Sequence, residues 1–479
     1  MQQVDITING RKLSAPKNST ILEAAVQNGI HIPTLCTLKG IDPKANCRIC
    51  VVEIERSRTF QPACATKITE GMVINTDTPA LRKSRKDTLE LLLSRHSVDC
   101  HHCMRIGSSK CDDLDPYFCE MCFFCDCVRD GICELQALAR EYKVDFLPYE
   151  IEDAYKYPLD ESTASVVRNP NKCIKCRRCI DVCCEVQTVN ALSVVNRGKD
   201  IQIVPEMEKK LIDSPCVQCG RCVSVCPTGA IYEKEQIDEL IYQAHSYDIT
   251  TVAQISQDVL EGLATLSKLE PSQLDICSVA AGLRKIGVNY IVSDEFALAA
   301  SNAQAVEKIT ARLRTAPIIV TSSYSAEKFV KTQFPDMYDR LVTYPSALQS
   351  FDSYIKSAWA AQKGIAPASV RTISITGTNE SQAEAVANHS VDYVLNAREL
   401  YRIFLRTGVN LGKIIPTELD RLGTPAAPDP CFAELLVPVE WEIGSECREL
   451  MVEASGASYR AAVGTTLGQA RELLGKASK

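Results

Sequence analysis

The opening of the chain alternates and then changes period. In VDITING, apolar and polar positions alternate from Val4 to Ile8 and stop at Asn9-Gly10, the signal of a tight hairpin. TILEAAVQNG follows with helical spacing, Thr20 standing where an N-cap belongs and Gly29 where a helix stops. LRKSRKDTLELLLSRH, from Leu81, predicts a second helix. From about residue 237 the apolar runs NYIVSD, APIIVTS and RTISIT take turns with the amphipathic segments SQAEAVANH and ARELYRIFLRTG, an α/β pattern. The expected layout is multidomain α+β: a small β-rich unit over 1–78, a helix running into loops over 79–165, a repeat-bearing unit over 166–236 and an α/β unit over 237–479.

Composition leaves this picture unchanged except in one respect. A length of 479 residues suits three or four domains, and a net charge of −7 argues against nucleic acid as the main partner. No apolar run approaches the roughly 18 residues of a membrane span. MQQVDITINGRKLS reads as strand and turn and not as a signal peptide, so a cytoplasmic location is expected. The exception is cysteine. There are 24, and 21 of them lie before residue 227. In a reducing compartment the default use of so many thiols is metal ligation.

The cysteines form four constellations. The first is Cys36, Cys47, Cys50 and Cys64. Three ligands in one loop with a fourth further on suit a [2Fe–2S] cluster; zinc would favour two close pairs, and only one pair is close. The second is a repeat. CIKCRRCIDVC and CVQCGRCVSVCP, offset by 43 residues, both read Cys-x2-Cys-x2-Cys-x3-Cys. In such two-cluster ferredoxin spacing the fourth cysteine of each run serves the other cluster. Cys173, Cys176, Cys179 and Cys226 are therefore expected to hold one [4Fe–4S] cluster, and Cys216, Cys219, Cys222 and Cys183 the other, with Cys184 a spare thiol. The third starts at His96, with Cys100 and Cys103 directly downstream; one imidazole and three thiolates can hold a [4Fe–4S] cluster. The fourth comprises Cys111, Cys119, Cys122, Cys125 and Cys127, with Cys133 after it. CEMCFFC has the tight three-ligand loop of a further [4Fe–4S] cluster, and a zinc knuckle is the alternative.

In this order the constellations resemble the large subunit of [FeFe]-hydrogenases and the iron–sulfur subunit of the complex I peripheral arm, over nearly the whole chain. The resemblance implies a β-grasp [2Fe–2S] ferredoxin-like domain first, then a His/Cys cluster domain, a two-[4Fe–4S] ferredoxin domain and an α/β hydrogenase-like domain. The family's histidine motif is His-x3-Cys-x2-Cys-x5-Cys followed by Glu-Leu-Gln. Here Glu134-Leu135-Gln136 follows Cys133, which implies His96, Cys100, Cys103 and Cys133 as ligands. The cysteine-rich insertion, 104–132, then looks like an added cluster site, with Cys111 or Cys127 as the fourth ligand beside Cys119, Cys122 and Cys125.

The second half resembles the catalytic domain of [FeFe]-hydrogenases in a degenerate form. The family's Thr-Ser-Cys-Cys-Pro-x-Trp stands here as Thr321-Ser322-Ser323-Tyr324-Ser325-Ala326-Glu327, and its Met-Pro-Cys-x-x-Lys as Thr376-Gly377-Thr378-Asn379-Glu380-Ser381. Ser323 replaces the proton-relay cysteine, and Tyr324 and Thr378 replace ligands of the hydrogen-activating cluster. The third motif would follow YRAAVGTTLGQARELLGKASK, where this sequence stops. A phenol or a hydroxyl is not a soft thiolate ligand. The expectation is one [2Fe–2S] cluster, three or four [4Fe–4S] clusters, no hydrogen-activating cluster, no flavin and no hydrogenase activity of its own.

GTNESQ lacks the spacing of a nucleotide-binding loop. The resemblance therefore implies an electron relay in a flavin-based electron-bifurcating complex, with an NADH:FMN subunit, a small [2Fe–2S] subunit, ferredoxin and a separate module such as a [NiFe]-hydrogenase. A formate dehydrogenase or NADP-linked complex, or a redox-sensing regulator, are the alternatives. Arg168, Lys172, Lys175, Arg177 and Arg178 surround the first ferredoxin motif without an acid, a collar that could steer an acidic ferredoxin.

Overall fold

The computed structural model describes residues 2–96, 128–129, 131–144, 149, 157–312, 318–422, 448–454, 457–464 and 466–477. Its N-terminal sheet has five strands in the order Arg11–Pro16, Gln3–Ile8, Val73–Asn75, Val51–Ile54, Gln61–Pro62. The first two form the expected hairpin, and Val73–Asn75 lies parallel to Gln3–Ile8. Alternation buries Val4, Ile6 and Ile8, which pack on Ile21, Ala24, Val52 and Ile74. Helix Ile21–Gln27 starts at a capping box: the Thr20 hydroxyl accepts from the Glu23 amide and the Glu23 carboxylate accepts from the Thr20 amide.

Helix Pro79–Leu93 begins with Thr78 as N-cap. Its buried Arg85 donates to the carbonyls of Val51 at 2.7 Å and Thr76 at 2.8 Å and to the Tyr142 hydroxyl at 3.0 Å. These bonds satisfy most of a guanidinium that burial would otherwise penalise. They also tie the helix to the N-terminal sheet and to helix Glu134–Glu141.

The repeat of the sequence is a repeat of the backbone. Lys175 and Gln218 have φ of 59° and 61°, and Arg177 and Gly220 have φ of 70° and 69°. Each loop thus turns twice through left-handed conformations and curls its cysteines inward before a short helix, Arg178–Asp181 in one half and Arg221–Val225 in the other. Two antiparallel ribbons, Val166–Arg168 with Ile231–Glu233 and Leu192–Val195 with Gln202–Pro205, frame the pair.

Beyond residue 237 a parallel sheet runs Tyr290–Ser293, Thr250–Ile255, Val370–Ile375, Tyr393–Leu395. Its two faces pack separate apolar layers, one around Leu263, Ile373 and Phe404, the other around Phe351, Trp359 and Val394. Ile319–Thr321 pairs in parallel with Leu341–Thr343 in a second, two-stranded sheet. Helix Leu467–Ala477 returns to the ferredoxin unit. A Cβ on Gly468 would lie 2.4 Å from the Val186 carbonyl oxygen, so only glycine permits that approach.

Candidate iron–sulfur sites

Cys36, Cys47 and Cys50 lie on the loop that precedes strand Val51–Ile54, and Cys64 follows strand Gln61–Pro62. Ala45 and Arg48 take left-handed conformations with φ of 50° and 57°, and all four cysteines are buried. They interact in pairs. A hydrogen bond from Cys47 lowers the Cys36 thiol to about 6, and one from Cys50 lowers Cys64 to about 7. Giving those bonds, together with burial, raises Cys47 and Cys50. Four buried thiols in one another's field, two of them already favouring thiolate, are the donor set a [2Fe–2S] core requires.

The ferredoxin unit sorts its cysteines into two sets. Burial pushes Cys179 far up, and Cys176, Cys173 and Cys226 add to the push. Burial does the same to Cys222, helped by Cys216, Cys219 and Cys183. Burial also raises Cys183 to about 11 and Cys219 to about 12. Thiolates crowded in this way repel one another until a cationic core takes their charge. The backbone is aimed accordingly: the Lys175 amide donates to Cys173 Sγ and the Gln218 amide to Cys216 Sγ, both at 3.4 Å, and the Ala191 amide to Cys183 Sγ at 3.3 Å. The donors present fit two [4Fe–4S] groups. Cys184 stands apart, half-buried, its Sγ 4.0 Å from the Leu192 carbonyl oxygen.

His96 lies buried just past helix Pro79–Leu93, and its amide bonds to the Leu93 carbonyl at 3.1 Å. Cys133 caps helix Glu134–Glu141. Their expected partners Cys100 and Cys103, and the insertion cysteines Cys111, Cys119, Cys122, Cys125 and Cys127, lie outside the described residues. One apolar cluster nevertheless holds Cys36, Cys47, Cys133 and Cys176 together with Leu35, Leu89 and Leu135. Three of the four candidate sites therefore meet in a single core. The Asn46 amide group donates to the Cys176 carbonyl at 3.3 Å across that junction.

The basic collar is corrected. Arg168, Lys172 and Arg178 are buried. Arg168 donates to the Ile203 carbonyl at 2.5 Å, and Arg178 pairs with Glu134. Lys175 and Arg177 stay partly exposed. Charge in a sequence does not reveal which way a side chain turns, and here three of the five are buried.

The loop at 321–326 has hydroxyls in place of thiols, and those of Thr321, Ser323 and Ser325 are engaged. Ser323 N-caps helix Tyr324–Gln333, accepting from the Ala326 amide at 3.0 Å and donating to Glu380 Oε1 at 2.5 Å. The Ser325 amide donates to the same oxygen at 2.9 Å. Thr378 shares a hydrogen bond with Ser381 at 2.9 Å. Burial raises the Tyr324 phenol, with Glu327 and Cys216 adding to it. The second ferredoxin loop lies directly against this region: Phe329 and Leu467 share an apolar cluster with Val189 and Val217, flanked by Cys183, Cys216 and Cys219. Sequence reasoning missed Glu134 and Glu380 as partners, because nothing in their local spacing signals a contact with Arg178 or Ser323, 44 and 57 positions away.

Residues 1–79 match the 2Fe-2S iron-sulfur cluster binding domain, 172–230 the 4Fe-4S dicluster domain, and 249–434 the C-terminal domain of the iron only hydrogenase large subunit. The NADP-reducing hydrogenase subunit HndD of Solidesulfovibrio fructosivorans is 32% identical over 454 residues, which is 90% of this chain and 73% of that subunit. The mitochondrial NADH-ubiquinone oxidoreductase 78 kDa subunit of Neurospora crassa is 27% identical over 58% of this chain, and NADPH-Fe(3+) oxidoreductase subunit alpha of Geobacter sulfurreducens 35% identical over 48%. This chain spans only 33% and 24% of those two proteins. A solved NAD+-reducing [NiFe]-hydrogenase chain aligns over 49% of this chain and 88% of its own length, with 25% identity and a TM-score of 0.40. Among the described residues no helix is long and apolar enough to cross a membrane. With its [2Fe–2S], [4Fe–4S] and hydrogenase-like domains in that order, the chain belongs to the family of the hydrogenase subunit HndD, as an iron–sulfur electron-transfer subunit.

Proposed function

We propose that the chain is the non-catalytic relay of a cytoplasmic, flavin-based electron-bifurcating complex. It would pass electrons between an NADH:FMN subunit, a small [2Fe–2S] subunit, ferredoxin and a separate catalytic module, of which a [NiFe]-hydrogenase is the leading form. The observation that carries this reading is a contrast. Cysteine sets gather from the N-terminal loop to the second ferredoxin loop, whereas Ser323, Tyr324 and Thr378 stand where the family's active site has thiols. The clusters, when bound, supply one-electron transfer. The protein's part is to hold them in line: Cys36, Cys47, Cys50 and Cys64 at one end, His96 with Cys100, Cys103 and Cys133 beside them, then the two ferredoxin sets. The domain boundaries 1–78, 79–165, 166–236 and 237–479 belong to this reading, as does a further cluster in the insertion on Cys119, Cys122, Cys125 and either Cys111 or Cys127. The identity to the NADPH-Fe(3+) oxidoreductase subunit favours, as a second reading, the same relay in an NADP-linked reductase.

Anaerobically purified protein should carry about 18 iron atoms, one [2Fe–2S] and four [4Fe–4S] clusters. It should evolve no hydrogen from a strong reductant. Sustained hydrogen evolution by the isolated chain would overturn the assignment, and the subunits that co-purify from the native source would separate the hydrogenase from the reductase reading.

A further inference from the structure

The junction of the first three sites contains a buried charge. Arg178 sits between two cysteines of the first ferredoxin loop and is 7% exposed. Its guanidinium makes a two-pronged ion pair with Glu134, Nη1 donating to Oε1 at 2.7 Å and Nη2 to Oε2 at 2.9 Å. Glu134 follows Cys133 directly, and its own amide is anchored on the Pro227 carbonyl at 2.9 Å. The paired planes fix the guanidinium in position and angle. The pairing also holds it charged against the cost of burial. A fork of this kind satisfies two edges of the guanidinium. The remaining Nε–H is buried and has no acceptor among the described residues, a costly arrangement for an N–H group.

The charge reaches two sites. Arg178 stands two residues from Cys176, which packs in one core with Cys36. Those cysteines belong to different candidate clusters and share one apolar core, where screening by water is weak. The second ferredoxin loop has its own arginine at the equivalent place, Arg221, in the field of Cys219 and Glu380.

We propose that Arg178, held in place by Glu134, sets the reduction potentials of two adjacent clusters together: the one on Cys36, Cys47, Cys50 and Cys64 and the one on Cys173, Cys176, Cys179 and Cys226. The proposal rests on the ligand sets proposed above. Reduction adds one electron, and hence one negative charge, to a cluster. A fixed positive charge beside it stabilises the reduced form and raises the potential. One guanidinium between two clusters raises both. Glu134 offsets part of that charge, so the two residues act with opposite sign.

The test is a redox titration followed by electron paramagnetic resonance on the full-length, iron-replete chain. In Arg178→Gln the potentials of both clusters should fall by at least a tenfold change in the reduction equilibrium, about 59 mV for one electron. In Glu134→Gln both should rise. In Arg178→Lys, which keeps the charge and loses the fork, the fall should be smaller than in Arg178→Gln. The cluster on Cys216, Cys219, Cys222 and Cys183 should stay put in all three. A purely structural arginine would not give shifts of opposite sign. Unmoved potentials in an iron-replete Arg178→Gln protein, or a uniform shift of every cluster, would overturn the proposal. If Arg178→Gln loses iron, Arg178→Lys and Glu134→Gln decide the matter by the same signs. Absence of cluster signals from the unsubstituted protein would instead overturn the relay reading on which it rests.

Discussion

Two buried glutamates show how neighbours override burial at a single residue. Burial alone would raise Glu233, yet Arg129 and Arg398 beside it hold its carboxyl down to about 2. Among the described residues Glu384 has no such cation: burial raises it to about 7, against a hydrogen bond from Ser346 and with Glu380 one helical turn away adding to the rise. The folded protein therefore keeps a proton on Glu384 between pH 4.5 and about 7 that the unfolded chain has released. Stability must fall as pH rises through that window, by about 2–4 kcal/mol at this site once both states are ionised. Replacing Glu384 by Gln removes the penalty. Relative to the unsubstituted protein, the melting temperature of Glu384→Gln should rise on going from pH 5 to pH 8, and a constant difference would show that Glu384 is ionised throughout. Glu233 has the opposite sign, its contribution being lost only as pH falls toward 2.

At the scale of elements, the two cysteine loops show how one backbone motif accepts different residues. Arg177 and Gly220 share a φ near 70°. The loop bearing Arg177 has room for its side chain, whereas a Cβ on Gly220 would lie 2.4 Å from Asn379 Cβ. The second loop therefore needs glycine for the docking of the C-terminal unit as well as for the turn. Helix Leu467–Ala477 closes the same side. Arg471 donates to the Thr188 carbonyl and to Gln333 Oε1, each at 3.0 Å, and lies over the rings of Phe329 and Phe334. Gly468→Ala should push this helix off Val186 at a cost of about 1–3 kcal/mol. The expected result is faster loss of iron to a chelator from the cluster next to Cys183 and Cys216, with the [2Fe–2S] signal decaying at its normal rate. Equal loss from all clusters would mean that the helix protects none of them in particular.

At the scale of the whole molecule, the number of carriers turns on the insertion. Replacing Cys119 and Cys122 by Ser should remove about four irons, one [4Fe–4S] cluster's worth, and leave the other signals intact. Unchanged iron together with loss of zinc would establish the knuckle instead.

The sequence by itself determined the features that depend on neighbours along the chain. Alternation around Val4–Ile8 and the Asn9-Gly10 turn specified the first hairpin, and the Thr20–Glu23 box specified the first helix. Only the tertiary structure decided what happens where segments distant along the chain meet: the shared core of Cys36, Cys47, Cys133 and Cys176, the turning inward of Arg168, Lys172 and Arg178, the capture of Ser323 by Glu380, and the pairing of Arg178 with Glu134. The physical reason is range. Turns, caps and ligand loops are fixed by torsions and hydrogen bonds a few residues apart. The burial of a charge depends on which surface from elsewhere in the chain arrives to cover it, and no periodicity encodes that.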